Sequence, residues 1–328
     1  MKFYLQALLF FLFYKAYSGP IPLKISSNEI LKHFFAVNKR TNVLITSQNI
    51  YTLSKNRCKR IEFSYTGFSD AFYASDTLII LKHDTLFFLP AKQNFEKICN
   101  FISIKKLDTN LPSFSGLAID SYGIIWVYSP FGGVYSLQRD ENKFLSRLTA
   151  PVVNDLKVSA DSCIYAATNV GLFRYNAKQN IWIKYAEEGI GGYEMPDNII
   201  ESILIDTKSN VWVIMPEHIS FIGYGNRDEV HVPSFDYLGD KETKLMGINN
   251  FRSGYLMITT KGVLFLKTMK EGESQSEVHT SNAQTAFLLS GKDIETPLDF
   301  KNQLVKFAGK NGKTNYLFTD MGYWVIND

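Results

Sequence analysis

The chain has 328 residues, of which 45% are hydrophobic, 14% aromatic and 20% charged, with 21 Gly, 10 Pro and 3 Cys. That is ordinary globular composition, and it excludes a disordered tail, a collagen or a disulfide-stapled miniprotein. The net charge of +3 provides no basic field for a phosphate backbone, so nucleic acid is not an expected partner.

Residues 1–18 read as a secretory signal peptide. Lys2 gives a short positive start, Phe3 to Tyr14 is an apolar run broken only by Gln6, and Ala16-Tyr17-Ser18 offers small residues before Gly19. The run is short of the ~20 residues that span a bilayer, and no later stretch is long and apolar enough. The mature chain is therefore expected without a membrane span, exported to the periplasm or cell surface. Losing Lys2 and Lys15 with the leader brings the net charge to +1. Ser27 to Phe35 is the only helix candidate, and it is short. Cys58, Cys99 and Cys163 show no CxxC or His-rich pairing and predict no zinc or redox motif. A Cys58–Cys99 disulfide is permitted by an oxidising compartment but not required by spacing. Cys163 reads as a small hydrophobe in an apolar strand.

The dominant signal is an internal repeat. Ile119-Asp120-Ser121-Tyr122-Gly123-Ile124-Ile125-Trp126-Val127, Val158-Ser159-Ala160-Asp161-Ser162-Cys163-Ile164-Tyr165-Ala166 and Ile205-Asp206-Thr207-Lys208-Ser209-Asn210-Val211-Trp212-Val213 each read as strand, polar turn and apolar-aromatic strand. A turn residue follows the anchor six positions on: Trp126 with Gly132, Tyr165 with Gly171, Trp212 with His218. Leu256 with Gly262 and Tyr316 with Gly322 continue the series, and Val43 with Asn49 and Leu78 with Asp84 begin it. Seven copies at about 45 residues each match a four-stranded propeller blade. Strands such as Leu78-Ile79-Ile80-Leu81 are apolar on both sides, so each sheet needs neighbours over both faces. The expected fold is an all-β, seven-bladed β-propeller of four-stranded antiparallel blades in a single domain, 19–328. Blade seven runs out of chain after three strands, near Leu304 to Phe307, Tyr316 to Thr319 and Tyr323 to Ile326. The N-terminal segment between Pro22 and Val37 is expected to supply the fourth strand and close the ring. A polar insertion, Thr268 to Thr285, is placed between blades six and seven as a loop or hairpin.

The copies resemble the two-component regulator propeller repeat. Met195-Pro196-Asp197-Asn198 leads into Ile205-Asp206, Asn210 and Val211-Trp212-Val213; Asn110-Leu111-Pro112 leads into Ile119-Asp120, Gly123 and Ile125-Trp126-Val127. Gly171-Leu172-Phe173-Arg174-Tyr175-Asn176 matches the third strand. The likeness covers residues 107 to 225. It implies a periplasmic sensor region of the kind that precedes a membrane helix and a histidine kinase, although this chain shows one ring of repeats and no kinase motif. Related exported propellers also resemble components of secretion machinery and carbohydrate-utilisation systems.

No catalytic set emerges. His33, His83, His218, His231 and His279 lack ligand spacing, so no metal and no cofactor are expected. Asp120, Asp161 and Asp206 recur at the end of strand one and read as turn caps. Gly189 to Gly192 lacks the Lys-Ser/Thr of a phosphate loop, and no GxSxG elbow is present. The many Tyr and Phe read as packing between blades. Binding residues are expected on the rim formed by the loops from strand four to strand one and from strand two to strand three. Those loops hold Phe131, Asn154, Asn169, Tyr193, Glu194, Asp197, Asn198, Glu217 and Lys261. The expected function is non-enzymatic binding of a glycan, peptide or envelope protein as a sensor or input module. An interaction scaffold in a secretion or surface complex is the first alternative, and a lyase or hydrolase on a propeller scaffold is the second.

Overall fold

A strand that is apolar on both faces stays dry only inside a sheet that is covered twice, and this chain builds such strands repeatedly. A computed structural model of the protein describes residues 21, 23, 25, 29–54, 57–62, 67–108, 110–138, 143–177, 179–231, 244–251, 254–260, 262–268, 284–288, 305–319 and 322–327. The leader, Lys261 and most of the insertion lie outside them. Among the described residues are seven antiparallel sheets, six of four strands and one of three. They are the seven blades expected, and each orders its strands as in the sequence.

The chain divides into two compact units, residues 28–242 and residues 1–27 with 243–328. The first unit holds blade one (Leu31 to Ile61), blade two (Asp70 to Ser103), blade three (Gly116 to Leu148), blade four (Val153 to Tyr185) and blade five (Ser202 to His231). Their first strands lie side by side in chain order. Apolar clusters fill each seam: Val43, Ile45 and Ile80 between blades one and two; Ile79, Leu117 and Val127 between two and three. Trp126, Val134 and Ala166 pack between three and four, and Tyr165, Tyr185 and Val213 between four and five. The second strands, Asn42–Thr46 and Ile164–Thr168 for example, are buried throughout. The aromatic residues do serve as packing: Trp126 lies 5.1 Å from Tyr175 and Trp212 lies 4.9 Å from Phe221, centroid to centroid.

The second unit holds blade six (Leu245 to Leu288) and blade seven (Phe307 to Asn327), with Phe251, Leu256 and Leu317 in the seam. Blade seven has three strands of its own. Its free edge pairs with Ile21, whose amide donates to the Tyr323 carbonyl at 2.9 Å and whose carbonyl accepts the Tyr323 amide at 3.0 Å. The fourth position is thus filled by a single bridge at Ile21, one residue before the segment between Pro22 and Val37 expected to supply it; the strand inside that segment, Leu31–Ala36, pairs instead with Asn42–Thr46 as part of blade one. Pro20 and Pro22 carry no amide hydrogen, so only Ile21 can donate there.

Four further sequence expectations are corrected. Leu31–Ala36, overlapping the helix expected over Ser27 to Phe35, is a strand. A register shift between Leu31 and His33 breaks its alternation and disguises it. The insertion interrupts blade six between its third strand, ending at Thr268, and its fourth, starting at Gln284; it does not separate blades six and seven. Cys163 precedes its strand, which starts at Ile164, and all three cysteines are free thiols. In blade two the anchor equivalent to Val43 and Tyr165 is Ile79, because Leu78 packs toward blade one and Ile79 toward blade three. Shifting by one residue turns a strand side chain to the opposite face.

Glycine is required where the third strand begins. At Gly171, φ is +122° and an added Cβ would stand 2.5 Å from the Tyr185 carbonyl oxygen. In blade three Gly133 takes this role, with φ +92° and 2.0 Å to the Leu148 oxygen, because its hairpin is one residue longer than that of blade four.

Candidate functional site

Equivalent positions on the first strands of the first unit are fixed by their pairing: His33 opposite Ile45, Asp70 opposite Leu81, Gly116 opposite Tyr128, Asp155 opposite Ala167 and Ser202 opposite Ile214. Two of these carry carboxylates that reach one blade onward. Asp70 accepts the Leu117 amide of blade three at 2.7 Å, and Asp155 accepts the Ile203 amide of blade five at 3.0 Å. Each also accepts the amide of the residue after it, Ala71 or Leu156. Gly116 makes room for this: a Cβ there would come 2.2 Å from the Tyr128 ring and 3.0 Å from Asp70 Oδ2.

Basic side chains complete the row. His33 Nε2 is 2.5 Å from Asp70 Oδ1, and Lys157 Nζ is 2.9 Å from Asp155 Oδ1. Lys32 Nζ donates to the Phe68 and Ser69 carbonyls at 2.8 and 2.7 Å, and the Tyr128 hydroxyl donates to the Asn154 carbonyl at 3.1 Å. Burial opposes the charge on Asp70, but His33, Lys157 and the Leu117 amide hold its carboxyl below the usual range. Burial likewise opposes the charge on Lys157, and Asp155 and Asp70 outweigh it, so the ammonium is held above its ordinary value. Lys157 lies deep in the unit, yet its side chain keeps 37% exposure, so it is wetted and not sealed. For Lys32 burial wins over Asp70 and lowers the value. Burial drives the Tyr128 hydroxyl upward, with Asp155 and Asp70 adding to it.

The expected rim residues of blades three to five lie above this row, on loops stitched by backbone bonds. The Val153 amide reaches the Pro130 carbonyl, Ile200 reaches Thr168, and Gly171 reaches Asn198. Asn154 and Asn169 are brought together: Asn154 Nδ2 donates to Asn169 Oδ1 at 2.8 Å and to the Ile200 carbonyl at 2.7 Å. Asn198 Oδ1 accepts the Glu187 amide at 3.0 Å, and its Nδ2 donates to Glu187 Oε2 at 3.2 Å. Asp197 accepts the Ile199 amide and Glu194 the Gly192 amide, each two residues away. Tyr193 leans edge-on against Tyr185 at 5.3 Å and bonds Asp228, so it belongs to the seam between blades four and five. Glu217 is exposed on the second-to-third strand turn of blade five. Phe131 (83% exposed), Ile190 (83%) and Ile199 (44%) stand among these polar groups. Lys261 lies outside the described residues.

The turn carboxylates are structural. Asp120 Oδ1 accepts the Tyr122 and Ile124 amides, and Oδ2 accepts Trp126 Nε1 at 3.0 Å. Asp206 takes the Lys208 and Asn210 amides in the same way. In blade four Ser159 holds that position, receiving the Ser162 amide at its carbonyl as Asp120 receives that of Gly123. Asp161 is instead an ion-pair partner of Arg227 at 3.2 Å. Lys32, Asp70, Tyr128, Asp155 and Lys157 form no chemical motif within a single strand, and in the sequence His33 is weighed only as a metal ligand. The available signal was a carboxylate followed by an apolar residue on a first strand, at Asp70-Ala71 and Asp155-Leu156.

No family model matches the sequence, and no curated protein matches it. Solved structures do match in shape. The extracellular domain of the hybrid two-component system protein BT4673 from B. thetaiotaomicron is 11% identical with a TM-score of 0.63, over 94% of this chain and 39% of that one. This chain therefore spans well under half of that domain. A catalytically inactive virginiamycin B lyase from Staphylococcus aureus, with quinupristin, is 10% identical with a TM-score of 0.63, over 94% of this chain and 97% of that one. PorZ, a surface component of the type-IX secretion system of Porphyromonas gingivalis, is 13% identical with a TM-score of 0.55, over 94% of this chain and 37% of that one. At such identities a shared fold does not carry a shared activity. What the likenesses show is the architecture, a seven-bladed β-propeller.

Proposed function

We propose that the protein is an exported, non-enzymatic recognition module that binds a glycan, peptide or envelope protein on the rim of blades three to five, as a sensor or input module of two-component type. The carrying observation is where the polar groups lie. The carboxylates of the first-strand row are buried against backbone amides and basic side chains, whereas Asn169, Glu194 and Glu217, each with local bonds of its own, present exposed side chains on the loops beside Phe131, Ile190 and Ile199. Exposed apolar groups interleaved with amides and carboxylates suit recognition of a polar ligand with apolar faces. The likeness to extracellular domains of two-component proteins supports the sensor assignment and an exported location, and the blade motif agrees with it. The test is calorimetric titration against a glycan and peptide panel. The variant Asn169→Ala/Glu194→Ala/Asp197→Ala/Glu217→Ala should lose binding with little change in melting temperature; undiminished binding would reject the rim.

A second reading, a lyase, is favoured by the likeness to virginiamycin B lyase over nearly its whole length and by the His33–Asp70 pair in the row. Conversion of a bound ligand, abolished by His33→Ala, would establish it.

A further inference from the structure

The outer strand of blade one, Arg57–Ile61, carries three cations in five residues. Among the described residues no other outer strand carries more than two Lys or Arg: Asn100–Ser103 has none, Lys143–Leu148 has two and Ile181–Tyr185 has one. One or two charges are enough to blunt an edge strand against unwanted pairing, so blade one exceeds that need. Arg57–Ile61 pairs on one side only, with Ile50–Ser54, and its other edge is the end of the sheet. A groove of about 740 Å³ runs along it, lined by Thr52, Arg57, Lys59 and Arg60 and also by the carboxylates Glu62 and Glu96. Arg57, Lys59 and Arg60 are all exposed. Lys59 has a loose partner, Glu96 at 3.6 Å, with both side chains more than 60% exposed; such a pair is worth little. Arg57 and Arg60 form no ion pair with the described residues.

We propose that this edge is a docking site for an extended acidic peptide, which adds to blade one as a further strand. Side chains on one face of a strand recur about every 7 Å. Arg57 and Lys59 therefore meet carboxylates at alternate positions of an added strand, and Arg60 points to the other face. Main-chain bonds supply affinity and the alternating charges supply register. A partner of this chemistry makes use of both features of the site, the open backbone edge and the period-two cations.

The experiment uses fluorescence anisotropy on the full chain with a labelled peptide of alternating Glu and Thr. Three comparisons accompany it: a Gln-for-Glu peptide, the Glu peptide N-methylated at alternate amides, and a sulfated polysaccharide. The Glu peptide should bind, with affinity falling as salt rises. The Gln and N-methylated peptides should each bind about tenfold or more weakly, a loss of ~1.4 kcal/mol or more. Arg57→Gln/Lys59→Gln should weaken the Glu peptide equally with unchanged circular dichroism; Arg57→Ser/Lys59→Ser serves if the first variant is poorly folded. Equal binding of the N-methylated peptide, tighter binding of the polysaccharide, or no effect of either double variant would overturn the proposal.

Discussion

Replacing Asp70 by alanine separates a strand latch from an ordinary surface carboxylate. The Asp70 carboxylate accepts the Leu117 amide from the next blade at 2.7 Å, the Ala71 amide at 2.9 Å and His33 Nε2 at 2.5 Å. Its side chain is only 14% exposed, so water cannot replace those bonds in full. Hydrogen bonds to a charged group are worth roughly 1.5–3 kcal/mol net, and stranding buried donors costs more. Because the three bonds share one group they do not add, and the expected loss is about 3–5 kcal/mol. In a chain of this size that lowers Tm by about 4–7 °C. Asp197→Ala removes only the Ile199 amide contact in a turn and should cost less than about 1 kcal/mol. The pH dependence has a definite sign. The folded carboxyl is held below its ordinary value, so its stabilisation is complete above the unfolded value of about 4 and is lost as pH falls through the lower, folded value. Differential scanning calorimetry of wild type and Asp70→Ala should therefore show two curves that converge in acid. A Tm within about 1 °C of wild type at neutral pH, or a gap that stays constant into acid, would refute the reasoning.

Three further outcomes follow. Asp120→Ala removes the acceptor for two amides and Trp126 Nε1; it should cost about 2–4 kcal/mol and shift tryptophan emission in the folded state. Ile21→Pro deletes the donor to the Tyr323 carbonyl; amide exchange at Tyr323 should quicken about tenfold while the first unit is unchanged. Burial pushes the Cys58 thiol up to about 11 and raises Cys163 as well. At pH 8 both stay protonated, and exposed Cys99 should react first with a maleimide, read by peptide mass mapping.

The blades were legible because the anchors Val43, Trp126, Tyr165, Trp212, Leu256 and Tyr316 all fall on second strands, which are largely buried and mostly apolar. Blade two slipped by one residue for the same reason: Leu78-Ile79-Ile80-Leu81 is apolar at every position, so alternation gives no phase. Asp120 and Asp206 could be assigned to turns because their bonds are local, two to six residues away. The first-strand row could not be found in this way. Asp70 and Asp155 act on amides 47 and 48 residues ahead, about one repeat on, where only the stacking of blades brings them into reach. Of the rim residues, Asn154 and Asn169 do converge. Tyr193 does not join them, because its ring serves the adjacent seam and its hydroxyl is held by Asp228.

Recognition without chemistry is tested most directly by titrating a ligand drawn from the panel into the purified protein and weighing that ligand afterwards by mass spectrometry. The account predicts saturable heat that vanishes in the quadruple rim variant, with the ligand recovered at its original mass. Recovery of a cleaved or eliminated product, lost on His33→Ala, would contradict it.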